Sequence, residues 1–356
     1  MANVVINATS EVRLYAAKVI AQVENNSFFM PMVGKVSDKN SFIYKPAQMH
    51  KKGKTWTVPL RKAVTTTALL DGATYEDQGQ PSIVSTSDIT VQERGQVFGG
   101  FDDFEEVKTI LDLRDMHYEE AAQWSTMDFD LKAFSSINLA TGLLPTRAAR
   151  SASAYNVEFE GDAPSFSGLS QDHMISARGI SRCKKYMQSR GLRMADVGGG
   201  KMAFILIVNS EATFQLGQDD EKFQQALTYA LPRSSDHIFF KGHGLNPWGA
   251  WDGVIIVEDN RPVYGGSDGT FLNTEPEDAF RRTEGVFLGA QGIAYAEWKK
   301  NTWFERIFDH GRKFEVSIRR MYGFVKPAIN LNTLLSASPR DYGLGYYCFS
   351  APRIDN

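Results

Sequence analysis

Cysteine is nearly absent. Cys183 and Cys348 are the only two in 356 residues, and they lie far apart. That argues against a disulfide framework and fits a reducing compartment. No window approaches 18 uninterrupted apolar residues, which excludes a helical membrane span. No basic n-region with an apolar run opens the chain, so no signal peptide is expected. Charge of one sign is not in excess either. The formal net charge is −3, which gives no strong electrostatic argument for tight nucleic-acid binding. Low-complexity tracts and internal repeats are missing. What remains is an ordinary soluble composition, 42% hydrophobic and 23% charged, in a chain long enough for one elaborate or two ordinary domains.

The most organised stretch is 101–139. It has neither Gly nor Pro. Phe104, Val107, Leu111, Tyr118, Ala121, Ala122 and Phe129 recur at helical steps. Ile110, Leu113, Trp124, Met127, Leu131 and Phe134 form a second, shifted stripe. Asp102, Asp103, Glu105 and Glu106 favour a helix N-terminus there, and Gly142 and Pro145 end the pattern. The spacing predicts a spine helix over 102–139, roughly 50 Å long at about 1.5 Å per residue.

Before it, residues 1–9 read as a loose arm, 11–23 as a short helix, and 27–46 as an apolar irregular segment. Trp56, Val58 and Leu60 alternate with Thr55, Thr57 and Pro59, which is strand patterning. Pro59 lacks a ladder donor, so this strand belongs at an edge or in an isolated hairpin. A long polar tip follows, and Ile89, Val91 and QERGQVFGG return. Gly99 and Gly100 are expected to hinge directly into the spine helix. Such a hairpin is marginal alone, so its support is expected from a neighbouring subunit.

After the helix, 145–170 reads as a connection and 170–190 as a helix capped by Gly191. Residues 202–208 (MAFILIV) read as a buried strand. Helices are expected from Asn209 or Ser210 to Leu216 and over 219–230, with strands at 252–259, 313–320 and 323–328 and a third apolar segment at 284–298. Strand alternating with helix makes 196–299 a compact α/β unit. Residues 333–356 read as a tail with short turns.

No set of catalytic, metal or cofactor residues emerges. Gly265-Gly266-Ser267-Asp268-Gly269 fits G-x-S-x-G, but no buried strand precedes it and no helix follows, so a polar turn is the better reading. Gly198-Gly199-Gly200-Lys201 lacks the first Gly of a phosphate loop, and Met202 replaces its Ser or Thr. His237 and His243 have neither a helical nor a finger spacing.

The order of parts resembles the major capsid proteins of tailed bacteriophages with the Hong Kong 97-type fold, nearest to the coliphage N-four-like subfamily. The resemblance rests on KKGKTWTVPLRK, LDGATYEDQGQ and ITVQERGQVFGGFDD, then FILIVNSEATFQL, WGAWDGVIIVEDNRPV and VFLGAQGIAYAEW. It implies an α+β fold with an N-terminal arm (1–49), an extended loop built as a long β-hairpin (50–100), a peripheral domain with the spine helix (101–195 and 300–335), an α/β axial domain (196–299) and a tail (336–356). It implies a structural protein and no enzyme or cofactor. Hexamers and pentamers of the chain would form an icosahedral shell around packaged double-stranded DNA, with scaffolding and portal proteins as partners, in some members a decoration protein, and no membrane. Assembly would occur in the host cytoplasm and the product would be the virion capsid. Lys51, Lys52, Lys54, Trp56, Val58, Leu60, Tyr75, Glu76 and Asp77 become candidates for contact with a neighbouring subunit, and Gly99 and Gly100 for a hinge. Trp56, Val58, Leu60 and Tyr75 are expected to lose exposure only on assembly. The alternative of the same fold is an encapsulin-type shell around protein cargo. A hydrolase using Ser267 is the alternative from another class.

Overall fold

The computed structural model describes residues 18, 20–22, 26–47, 55–61, 84–102, 113–137, 144–150, 153–198, 201–219, 247–259, 280–308, 313–329 and 340–352. Along the chain the strands are β1 (Val33–Val36), β2 (Ile43–Lys45), β3 (Thr55–Arg61), β4 (Val84–Thr90) and β5 (Gln92–Asp102). The spine helix (Leu113–Ile137) follows, then β6 (Val157–Phe159), a second helix (Ala177–Ser189), β7 (Ala195–Gly198), β8 (Lys201–Val208) and a third helix (Ser210–Asp219). The remaining strands are β9 (Pro247–Trp251), β10 (Val254–Glu258), β11 (Phe280–Leu288), β12 (Ile293–Phe308), β13 (Lys313–Val325), β14 (Ala328–Ile329), β15 (Arg340–Asp341) and β16 (Leu344–Pro352).

Two sheets organise these elements. One has the order β1-β2-β12-β13-β5. The other runs β6-β16-β11-β8-β10-β9, with β7 paired to β8. β8 and β10 are parallel, as a strand–helix–strand unit requires. After an exposed start at Lys201 and Met202, β8 is apolar and buried from Ala203 to Val208, where both of its faces are covered. Phe204, Leu206 and Val208 face the second and third helices, with Ile180, Cys183, Met187, Ala212 and Leu216. Ile205 and Ile207 face the other way, towards Phe129, Phe134 and Ile137 of the spine helix and Phe28 and Phe29.

The local chemistry of the ends is legible. Ser176 caps the second helix, its Oγ accepting from the Gly179 amide at 3.0 Å. Gly191 follows the helix at φ +91°, the left-handed conformation that glycine adopts freely. Asn209 Oδ1 accepts from the Ala212 amide at 3.2 Å and starts the third helix. Both cysteines are free and buried.

Several expectations are corrected. Residues 344–352 are no tail. β16 lies inside the seven-stranded sheet between β6 and β11, buried from Leu344 to Ala351. Burial on both faces removes the alternation by which a strand is recognised. Gly99 and Gly100 are not the boundary between strand and helix. They lie within β5, where the register against β13 shifts between the Phe98–Val316 and Phe101–Phe314 pairs, so they form a bulge. Phe101 and Asp102 are strand residues, and the described helix begins at Leu113. The returning arm of the hairpin divides at Val91. β4 pairs with β3, and β5 joins the five-stranded sheet beside β13. The segment 284–298 holds two strands with a turn between them, and 313–325 is one strand. The helix expected over 170–190 is a turn of 3-10 helix, Gln171–His173, followed by the capped helix from Ala177. The connection 145–170 contributes β6 to the sheet. Of the expected 11–23 helix, residues 18 and 20–22 are described and helical. Most of the 219–230 helix lies outside the described residues.

Candidate subunit-contact surfaces

The hairpin root has two chemically distinct faces. Val58 and Leu60 of β3 and Ile89 of β4 are buried at 0%, 3% and 0% exposure, packed with Val91 against Tyr44, Ala294 and Ala296. Trp56 is half-buried and meets Trp298 edge to face, ring centroids 6.3 Å apart. The opposite face shows Thr55, Thr57, Pro59, Thr86 and Asp88 to solvent, or nearly so, with Thr57 Oγ1 donating to Asp88 Oδ1 at 2.8 Å. β4 is the only ladder partner of β3 among the described residues, so Pro59 does sit at an edge. The expectation that Val58 and Leu60 become buried only on assembly is therefore corrected. The chain's own five-stranded sheet covers them. Trp56 is already half-covered there.

The seat needs small residues opposite the hairpin. Ala294 and Ala296 supply two. Gly323 supplies the third, since a Cβ there would stand 2.3 Å from the Thr90 carbonyl oxygen. Ser87 fastens the rim: its Oγ accepts from the Ala328 amide at 3.1 Å and donates to the Ala328 carbonyl at 3.3 Å.

The spine helix covers the other face of the same sheet. Tyr118, Ala121 and Ala122 pack on Trp303, Val316 and Ile318. Phe129 lies 5.5 Å from Tyr295 and Tyr322 and 5.0 Å from Phe324, centroid to centroid. Asp128 accepts a bidentate contact from Arg94 of β5, Nε at 2.8 and 2.9 Å, and a 2.6 Å bond from the Tyr322 hydroxyl. Asp130, 1% exposed, faces the N-terminal segment. It accepts from Ser27 Oγ at 2.6 Å and from the amides of Phe28 at 3.0 Å and Phe29 at 3.3 Å. The second helical stripe has a mixed fate. Phe134 is buried, Trp124 half-buried, and Met127 and Leu131 remain exposed at 61% and 45%.

Two buried ionic groups join the layers. Glu297 of β12 meets Arg320 at 2.8 Å and Lys45 at 3.3 Å, and the Arg320 guanidinium lies 4.5 Å from the Phe129 ring centre. At the junction of the sheets, Lys326 reaches Asp341 and the Tyr346 hydroxyl, each at 3.3 Å. That hydroxyl donates to the Ile137 carbonyl, at the end of the spine helix, at 2.6 Å. Glu284 lies close to this network. Burial pushes its carboxyl up to about 8, against the opposing charge of Lys326. Burial likewise raises Asp341 to about 6.

One arrangement resembles catalytic machinery. Ser170 Oγ is 2.8 Å from His173 Nδ1, and His173 Nε2 is 3.0 Å from Asp162 Oδ1. The Ser170 amide donates to the same Nδ1 at 3.1 Å, which makes the group a capping box on the Gln171–His173 turn. Ser267 lies outside the described residues, as do Lys51, Lys52, Lys54, Tyr75, Glu76 and Asp77. Among the described residues there is no cluster of three or more metal-ligating side chains, and no helix is long and apolar enough to cross a membrane.

The architecture is that of phage capsid subunits. The capsid of Ralstonia phage GP4 superposes with a TM-score of 0.73 at 15% identity, over 93% of both chains. The capsid asymmetric unit of cyanophage Pam1 gives 0.68 at 16%, over 93% of this chain and 94% of that one. The acidic stable capsid of Helicobacter pylori bacteriophage KHP30 gives 0.62 at 11%, over 91% of both. At these identities the likeness establishes the fold. No curated protein matches the chain. The family described as Phage capsid protein matches residues 3–346, and the chain belongs to that family. It is a major capsid protein, a structural component of the bacteriophage virion that self-associates into an icosahedral shell. Protein cargo is not the favoured content.

Proposed function

We propose that the chain adopts the Hong Kong 97-type arrangement and assembles as hexamers and pentamers that enclose packaged double-stranded DNA. The observation that carries this reading is the hairpin seated across one face of a sheet whose other face carries a long helix. That helix reaches a second, α/β sheet, in a chain whose family match spans nearly its whole length. On this reading the five-stranded sheet and spine helix form the peripheral domain, and the seven-stranded sheet forms the axial domain. The axial part then includes β16.

The segment between β3 and β4, with Tyr75, Glu76 and Asp77, would contact the neighbouring subunit, and Lys51, Lys52 and Lys54 would flank that contact. Trp56 would lose its remaining exposure there. Gly99 and Gly100 would absorb movement of the hairpin as the shell expands. A Cβ on Gly99 would meet nothing within 4 Å, so crowding does not account for that glycine. Scaffolding and portal proteins are the partners this function requires, with a decoration protein as an optional one. Assembly would occur in the host cytoplasm, without catalysis or cofactor. The order of the sequence motifs supports a place near the N-four-like subfamily. Electron microscopy of the purified protein tests the reading. Closed shells with hexameric and pentameric capsomers are expected, and dispersed monomers under every assembly condition would overturn it.

A further inference from the structure

Arginines from three parts of the chain crowd together near the end of the second helix. Arg147 and Arg150 come from the loop before β6, Arg182 and Arg190 from the helix and its C-cap, and Arg340 from β15. All are half-buried. Arg147 and Arg182 reach the buried Glu158 at 3.7 and 3.3 Å, and Arg150 pairs with it as well. One carboxylate thus answers three guanidiniums. Arg190 donates to neutral acceptors, Asn156 Oδ1 at 3.2 Å and the Ser153 carbonyl at 3.0 Å. Arg340 has no side-chain hydrogen bond and no ion pair among the described residues.

Tyr186 sits at the centre of the open part. Arg150 and Arg190 lie over its ring, 4.6 and 6.0 Å from the centre, and the charge of Arg340 reaches its hydroxyl as theirs do. The guanidiniums oppose one another. Burial, followed by the charges of Arg182 and Arg150, lowers the Arg147 pKa despite Glu158. Burial and Arg150 lower that of Arg190, and burial and Arg190 lower that of Arg340. Like charges held together in partial burial are costly until an opposite charge joins them.

We propose that Arg150, Arg190 and Arg340, grouped around Tyr186, receive the Tyr75-Glu76-Asp77 segment of a second copy's hairpin. This rests on the capsid reading above and names the surface of the neighbour on which the segment docks. The charges are complementary. From 63 to 83, between β3 and β4, the chain carries Asp71, Glu76 and Asp77 and neither Lys nor Arg. A guanidinium fork takes a carboxylate through parallel hydrogen bonds, and its plane stacks on an aromatic ring. Tyr75, next to the two carboxylates, offers that second contact. Residues 62–83 leave the root at Arg61 and return to it at Val84, so half of them lead outward, a reach of at most about 40 Å at roughly 3.3–3.6 Å per residue. That is ample for crossing onto a neighbour. A nucleic-acid backbone would instead ask for cations spaced along a track, whereas these converge on one ring. A second acidic stretch without cations, 268–278, enters β11 at Phe280. Phe280 pairs with Pro352, the end of β16 remote from Arg340.

The test uses the full-length chain, assembled from an equal mixture of isotopically light and heavy protein, with Arg340→Lys in both. Lysine keeps the charge, and the side chain it replaces has no partner to lose. A carbodiimide forms an amide between an amine and a carboxylate in contact. Peptide mass spectrometry of the shells is expected to find position 340 joined to Glu76 or Asp77, with mixed-isotope pairs as abundant as unmixed ones. Unmixed pairs alone would place the segment on its own chain and overturn the proposal. So would shells in which position 340 joins Glu275, Glu277 or Asp278, or no carboxylate at all. Assembly followed by light scattering gives a second reading. Glu76→Gln/Asp77→Asn and Arg340→Gln should each raise the protein concentration at which shells appear, up to about fivefold per ion pair lost. Because both remove one contact, the combined variant should need little more than the first alone; additive effects would overturn the proposal. Glu275→Gln/Glu277→Gln is the control and should change nothing. Wild-type shells with the wrong cross-links leave the capsid function standing. Missing wild-type shells would bring down that function and this contact together.

Discussion

Asp130→Ala should release the N-terminal segment from the spine helix. In the native chain both carboxylate oxygens are used. They accept from Ser27 Oγ and from the amides of Phe28 and Phe29, and the three donor residues are 0%, 6% and 0% exposed. Alanine leaves those donors in a dry site. An unsatisfied buried donor costs about 1–3 kcal/mol. The Ser27 hydroxyl can rotate, but the two amides cannot, so about 3–5 kcal/mol is expected in all. Peeling the segment away is the alternative response. It would free the amides and expose two phenyl rings that pack on Phe134, at 5.7 and 4.6 Å between centroids. Burial of each ring is worth about 1.5–3 kcal/mol, so the two routes cost similar amounts and both should be populated. Calorimetry should show a melting temperature lower by roughly 6–10 °C, taking about 2 °C per kcal/mol. Limited chymotrypsin digestion should show new cleavage after Phe28 or Phe29. Glu119→Ala, at an exposed position on the same helix, is the control and should change stability by less than about 0.5 kcal/mol. An Asp130→Ala protein that melts with the control and resists cleavage would refute the anchoring argument.

Gly323→Ala should unseat the hairpin root, because the added Cβ would press on the Thr90 carbonyl at 2.3 Å; faster hydrogen exchange in β3 and β4 checks this, with a stability loss of about 1–3 kcal/mol. Gly99→Ala should leave the subunit's melting temperature unchanged, since nothing lies within 4 Å of the new atom, while slowing shell expansion measured by light scattering if the bulge is where the hairpin moves. Glu284→Gln should change the pH dependence of unfolding. The folded carboxyl titrates near 8 rather than 4.5, so the folded state holds the extra proton and wild-type stability falls as pH rises between those values. The advantage of the variant should therefore grow by about 1.4 kcal/mol per pH unit across that window, up to about 3 kcal/mol at pH 7. Melting curves that run parallel from pH 5 to 8 would contradict it, and Asp341, raised to about 6, contributes equally to both proteins.

Periodicity located elements well and their partners poorly. The strand at 202–208 and the strand face of Trp56, Val58 and Leu60 were visible because apolar spacing follows directly from geometry. What covers that face was not visible in the hairpin itself. The signal lay elsewhere in the chain, in Ala294, Ala296 and Gly323. Two small residues beside Trp298 and a glycine on the adjacent strand make a shallow trough, and only a strand laid across it fills such a shape. β16 was missed for a related reason. With both faces buried, LGYYCFSAP has no polar side to reveal its period, and Gly343 and Gly345 resemble turn punctuation. Gly345 is closely packed, since a Cβ there would stand 2.4 Å from the Met187 sulfur and the methionine would have to move. Asp128 and Asp130 fall outside both apolar stripes of the spine helix, and nothing local marks them as buried or paired. Their partners, Arg94, Tyr322 and residues 27–29, are far away in sequence, and no local pattern encodes them.

The seated root alters the energetics of the contact proposed for the hairpin. A free two-stranded hairpin would have to order itself when it met a neighbour, and each residue fixed would cost about 1–2 kcal/mol of backbone entropy. Here β3 and β4 are already paired, buried on one side and tied at Ser87 to β14. The two ends of the segment between them are therefore held at strand spacing, about 5 Å apart. Whatever the tip touches, the ordering cost of its base is met within the subunit, and more of the contact energy remains as affinity. Weak contacts repeated over a closed shell then suffice. That argument requires the root to be anchored first and independently of assembly, and the buried Val58 and Leu60 are the residues that anchor it.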